Sequence, residues 1–150
     1  MSIEVKFYEN IDDELLKFAV IISKSQGKWV YVKHKERNTF EIPGGHREER
    51  ESILDTAKRE LYEETGAIDY KLTPICVYSV TQEDESKKIA SETFGMLFYA
   101  DIYNLEKELH NEIEFVKLFD NIPQNQTYPQ IQPFLVQEFE RRIEYSNLST

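Results

Sequence analysis

Residues 45–67 read GHREERESILDTAKRELYEETGA, and the end of that stretch decides how the chain is to be read. Three carboxylates, Glu60, Glu63 and Glu64, fall within five residues, and Gly66 follows closely. The pattern predicts a helix from about Ser52, where Asp55 completes a capping-box pair, to Thr65, with Gly66 ending it. The unpaired carbonyls at a helix C-terminus carry roughly half a negative charge, so each carboxylate there costs on the order of 0.3–1 kcal/mol. The question is which positive charge offsets them.

A solvated acidic face would be the ordinary explanation of ERESILDTAKRELYEE, but the angles oppose it. At ~100° per residue, Ile53, Ala57 and Leu61 form a stripe about 80° wide. Glu64 falls inside that stripe, Glu60 lies roughly 20° beyond its edge, and Glu63 is on the flank. A carboxylate on the packing side of a helix must be paired or neutralised, because burying an isolated charge is expensive. Spacing i, i+3, i+4 brings all three within reach of one point. Clustered hard oxygen donors suit Mg²⁺ or Mn²⁺, which keep several waters and accept phosphate oxygens.

The whole stretch resembles the Nudix box of the Nudix hydrolases: Gly, five residues, Glu, seven residues, Arg-Glu-aliphatic-any-Glu-Glu-any-Gly-aliphatic. Gly45, Glu51, Arg59, Glu60, Leu61, Glu63, Glu64 and Gly66 fill the fixed positions, and Ala67 is small where a bulkier aliphatic is usual. The resemblance implies hydrolysis of a nucleoside diphosphate linked to a further group. It makes Glu60 and Glu64 the principal ligands of Mg²⁺ or Mn²⁺, with Glu63 assisting and the backbone carbonyl of Gly44 or Gly45 completing the set. Arg59 would orient the catalytic carboxylate and pair with Glu51, a mainly structural role. The general base would be Glu60 or a glutamate of the later segment HNEIEFVKLFD, where Glu114 matches the extra metal-coordinating glutamate of MutT-like members and Glu112 competes with it.

The rest of the chain bounds this reading. At 150 residues it is one domain by length, residues 1–150. Apolar runs such as Phe18–Ile22 are too short to span a bilayer, and the N-terminus shows no secretory pattern. A single cysteine, Cys76, excludes an internal disulfide, fits a reducing cytoplasm and reads as core within ICVYSV. The formal net charge of −10 opposes binding along a nucleic-acid tract but not a small anion carried with a metal.

Strands are expected at IEVKFYE, KFAVIIS, KWVYVKHK, FEIPGG, YKLTPICVYSV, ETFGMLFYADI and EFVKLFD, with the loop QEDESKKIAS between the fifth and sixth. The second is apolar throughout, which predicts burial on both faces. A last helix should begin near Pro129, with Phe134, Leu135, Phe139 and Ile143 on one face. The class is α+β: a mixed β-sheet between helices, as an α/β/α sandwich.

Substrate marks are sparse. The nearest counterparts of the proline and tyrosine that mark other Nudix subfamilies, Pro74 and Tyr78, come too early. By elimination the chain resembles the MutT-like group, which implies hydrolysis of a (deoxy)nucleoside triphosphate, 8-oxo-dGTP included. A 5′-triphosphate RNA end, or a catalytically silent ligand-sensing module, are the competing readings. Gln130 and Gln132 offer the amide donor–acceptor pair that purine recognition needs. Lys33, with His34 and Lys35, leaves a strand before the box and could meet phosphates, as could the backbone at Gly45. His46 lies in the variable part of the box and is not expected to ligate. Family members are often homodimers, though no feature here demands one.

Overall fold

The computed structural model describes residues 2–84, 86, 89–106 and 113–148. Its seven strands are β1 (Ser2–Tyr8), β2 (Leu16–Ser25), β3 (Lys28–His34), β4 (Gly44–His46), β5 (Ala67–Asp84), β6 (Ile89–Leu105) and β7 (Ile113–Phe119). The helices are α1 (Ile53–Thr65) and α2 (Gln132–Leu148). The sheet runs β1-β5-β6-β2-β3-β7, and β4 pairs with β2 off that path. β2 and β6 are parallel while the other pairs are antiparallel, so the sheet is mixed as expected.

Alternating side chains divide the core into two layers, one under each helix. Ile21, Val30 and Phe98 pack with Ala57 and Leu61 of α1. Their sequence neighbours Ile22, Tyr31 and Leu97 pack with Leu135, Val136 and Phe139 of α2. This double burial is why β2 is apolar at nearly every position. Leu61 is fully buried, which by area stabilises the fold by roughly 1.5–3 kcal/mol. Cys76 is core, and its burial raises the thiol to about 11.

Three local expectations change. The sequence predicts FEIPGG as a strand broken by its glycines. Instead Phe40 and Glu41 make only isolated bridges, and Gly44–His46 is the strand. A Cβ at Gly44 would sit 2.5 Å from the Ala19 carbonyl oxygen, so a glycine there lets β4 lie close on β2. Within the expected loop QEDESKKIAS, Gln82, Glu83 and Asp84 are ladder residues opposite Ser91, Ala90 and Ile89. β1 pairs along the same stretch of β5 up to Glu83, so backbone pairing outweighs the polar composition.

The last helix begins at Gln132, after a turn in which Ile131 and Gln132 donate to the Tyr128 carbonyl. Its buried face carries Gln132, Leu135, Val136 and Phe139, whereas Phe134 and Ile143 are exposed. Phe134 lies ~100° from Leu135 and faces away.

Helix α1 starts as expected. Asp55 N–H donates to Ser52 Oγ at 3.0 Å, and Ser52 N–H donates to the Asp55 carboxylate at 3.3 Å. It ends on Gly66 with φ +74°. Replacing Ser52 by alanine should lower unfolding stability by about 1 kcal/mol, read as a lower urea midpoint at unchanged slope. An unshifted midpoint would show that the box does not set this helix end.

Candidate active site

Arg59 organises the C-terminal half of α1. Its Nε donates to Glu51 Oε2 at 2.6 Å and its Nη2 to Glu51 Oε1 at 3.1 Å, a two-point grip on the loop before the helix. Nη2 also donates to the His46 carbonyl at 2.9 Å, while Nη1 reaches Glu60 at 2.9 Å and Glu63 at 3.3 Å. Arg59 first, then the Glu48 backbone N–H, pull the Glu51 carboxyl down to about 2. Glu60 moves the other way. Burial, reinforced by the charge of Glu64, pushes it up to about 7 even though Arg59 opposes the shift. One guanidinium therefore does not balance these acids.

Glu64 is buried and receives none of the Arg59 donors described. Its Oε1 accepts from Gly44 N–H at 2.8 Å, and its Oε2 lies 3.2 Å from His34 Nε2. His34 Nε2 is also 2.9 Å from Glu41 Oε1, and Arg37 Nη1 donates to the other Glu41 oxygen at 2.7 Å. Glu64 first, and then Glu41, hold the His34 imidazole above its ordinary value despite burial. Donor atoms of His34, Glu41 and Glu64 lie within 4.8 Å of one another. The three box carboxylates thus divide, Glu60 and Glu63 turning to Arg59 and Glu64 to His34.

The donor set fits a hard divalent cation. Glu60, Glu63 and Glu64 offer hard carboxylate oxygens on adjacent turns, while the donor atoms that already converge are those of His34, Glu41 and Glu64. Beside the cluster opens a cleft of about 320 Å³. Phe18, Tyr78, Tyr128 and Ile131 contribute apolar surface, and Gln82 and Gln132 contribute amides. Glu41, Gly44 and Gly45 line it too, so cleft and carboxylates share one wall.

The other expected residues separate. Gln132 lines the cleft and is buried, with its Oε1 accepting from Ile42 N–H at 2.8 Å. Gln130 is exposed in the preceding turn and is not among the cleft's lining residues. Lys33 pairs with Glu114, so two residues expected to act separately meet each other. Glu114 sits at a register shift where Lys33 and His34 oppose Phe115 and Ile113. Glu112 lies outside the described residues. His46 is exposed and its ring packs on Phe18 at 4.4 Å between centroids. Trp29 is core, with Lys24 over its ring.

Two participants are not expected beside Glu64: by sequence Glu41 reads only as part of a strand, and His34 groups with Lys33 and Lys35 as able to meet phosphates. Period-two alternation along β3 could have found His34. It shares a sheet face with Val30, which packs toward α1.

The sequence profile of the NUDIX domain matches residues 14–130. This chain belongs to the NUDIX family. A Bacillus subtilis (strain 168) protein named "Putative 8-oxo-dGTP diphosphatase YtkD" is 30% identical over 125 residues, covering 83% of this chain and 75% of that one. The crystal structure of a mutant of the Bacillus subtilis pyrophosphohydrolase BsRppH superposes with a TM-score of 0.74 at 25% identity, covering 93% of this chain and 90% of that chain. A MutT NUDIX hydrolase from Burkholderia pseudomallei gives 0.61 at 20% identity, over 80% of this chain and 94% of that one. Among the described residues of this Nudix chain, no helix is long and apolar enough to cross a membrane.

A Cβ on Gly45 would sit 2.5 Å from the Glu60 carboxyl carbon. Gly45→Ala must therefore displace that carboxylate, and turnover should fall by roughly 10²-fold. Steady-state kinetics on the folded variant check this; unchanged turnover would show that the placement of Glu60 is irrelevant to the reaction.

Proposed function

We propose that this Nudix hydrolase cleaves a (deoxy)nucleoside triphosphate, adding one water across the anhydride to give a nucleoside monophosphate and pyrophosphate. The observation that carries the reading is the shared wall at Gly44 and Gly45. Gly44 N–H holds Glu64, Gly45 lies against Glu60, and both glycines line the cleft. Phosphates at the carboxylate cluster and a nucleoside in the cleft would therefore belong to one molecule. The cleft lies at the small end of the range for ligand pockets, as one nucleoside requires. Names borne by two relatives, a diphosphatase and a pyrophosphohydrolase, agree with this class of chemistry.

Glu60 and Glu64, assisted by Glu63 and the Gly44 carbonyl, would hold Mg²⁺ or Mn²⁺. Such an ion would neutralise phosphate charge and acidify water. The protein's own groups do the positioning. Arg59 restrains Glu60 and Glu63 while Glu51 restrains Arg59. In this reading Glu60 takes the proton of the attacking water at a carboxylate oxygen, with Glu114 as the competing base. In the cleft, Phe18 and Tyr78 offer ring surface to a base, and the Gln132 amide faces its edge.

A pyrophosphate-release assay with Mg²⁺ or Mn²⁺ tests this on the canonical nucleoside triphosphates, 8-oxo-dGTP, ADP-ribose and a short 5′-triphosphate RNA. One or a few nucleotides should release pyrophosphate, and Glu60→Gln and Glu64→Gln should each lose roughly 10²–10⁴-fold in turnover. Release from the RNA alone would move the substrate to RNA ends. Normal turnover by both variants would contradict the site.

A further inference from the structure

We infer that His34 is a positioning residue for the Glu64 carboxylate, a role that rests on the cation site proposed above. Glu64 sits in the last turn of α1, where the helix carbonyls disfavour a carboxylate and Glu60 and Glu63 add like charge. Arg59 is committed to Glu51, Glu60 and Glu63. The described contacts of Glu64 are Gly44 N–H, which donates to one oxygen at 2.8 Å, and His34 Nε2, 3.2 Å from the other.

His34 is itself fixed from behind. Glu41 lies against the same ring nitrogen at 2.9 Å, and its second oxygen is held by Arg37. The Glu41 backbone is pinned to β3 by reciprocal bonds with Val32, at 2.9 and 3.0 Å. A chain of polar contacts thus runs Arg37–Glu41–His34–Glu64–Gly44, joining the end of β3 and the wall of the cleft to the end of α1. Both residues beside the imidazole are buried, Glu41 at 6% and Glu64 at 8% exposure. Without the ring, two buried carboxylates with oxygens within 4.8 Å of one another would face each other directly. Repulsion would then shift the Glu64 carboxylate and spoil the pair that is to share one cation. Groups that orient metal-ligating side chains in this way typically alter metal affinity or activity by roughly 10–100-fold.

The test is Mn²⁺ affinity, read from the electron paramagnetic resonance of unbound Mn²⁺ without nucleotide, for wild type, Glu64→Gln, His34→Ala and His34→Gln. Glu64→Gln should bind weakly. His34→Ala should weaken binding by roughly 10–100-fold while its far-ultraviolet circular dichroism stays that of wild type. His34→Gln, which restores an N–H donor beside the carboxylates, should recover most of the affinity. With nucleotide, His34→Ala should lower kcat with little change in KM, because the residue does not line the cleft. If His34→Ala does not fold, His34→Phe, which keeps the ring volume without a donor, decides the matter in the same way. Wild-type affinity in a folded His34→Ala or His34→Phe, with Glu64→Gln still weak, overturns the role of His34 alone. Wild-type affinity in Glu64→Gln overturns the cation site and this role with it.

Discussion

One guanidinium stands among four carboxylates at the C-terminal half of α1. Arg59 reaches Glu48, Glu51, Glu60 and Glu63, the first at 3.7 Å and the others at 3.3 Å or less. Its strongest grip is on Glu51, which fastens the loop before α1 to the helix and leaves Glu60 only one of the guanidinium nitrogens. Burial does the rest. A carboxylate removed from water, with Glu64 nearby, is lifted toward neutrality unless further positive charge arrives. Arg59 alone leaves the positive charge around Glu60 short.

The sheet makes that shortage useful. Strand β2 carries β4 on one edge and β6 on the other, so the Gly-Gly backbone is held over the end of α1 and also forms the wall of the cleft. The absent side chains are what allow this, since a methyl group at either glycine would collide with β2 or with Glu60. Helix α2 closes the opposite side through Leu135, and Gln132 ties that helix to Ile42, two residues before Gly44. A displacement of either helix would alter both the carboxylate geometry and the pocket beside it.

Much of this was legible in the residues before any coordinates. The capping box at Ser52 and the stop at Gly66 are local signals, and both ends of α1 fall where those residues put them. The burial of Glu64 follows from its angle on the helix, because the stripe of Ile53, Ala57 and Leu61 has to face the sheet. What escaped was non-local. β4 exists only because β2 pairs with it, and glycine content argues against a strand when pairing is unknown. The polar residues 82–84 and their partners 89–91 join the β5–β6 ladder for the same reason. Adjacency in the chain groups His34 with Lys33 and Lys35, yet alternation places it on the α1 face while Lys33 pairs with Glu114. Its partner Glu64 is far away in the chain, so no short window around His34 contains it.

The acids at the end of α1 are proposed to form a divalent-cation site between Glu60 and Glu64. The most direct measurement is an anomalous-difference map from a crystal of this protein soaked in Mn²⁺. A peak within coordination distance of both the Glu60 and Glu64 carboxylates, next to the Gly44 carbonyl, is the predicted result. Full Mn²⁺ occupancy elsewhere with no peak at those two side chains would rule that site out.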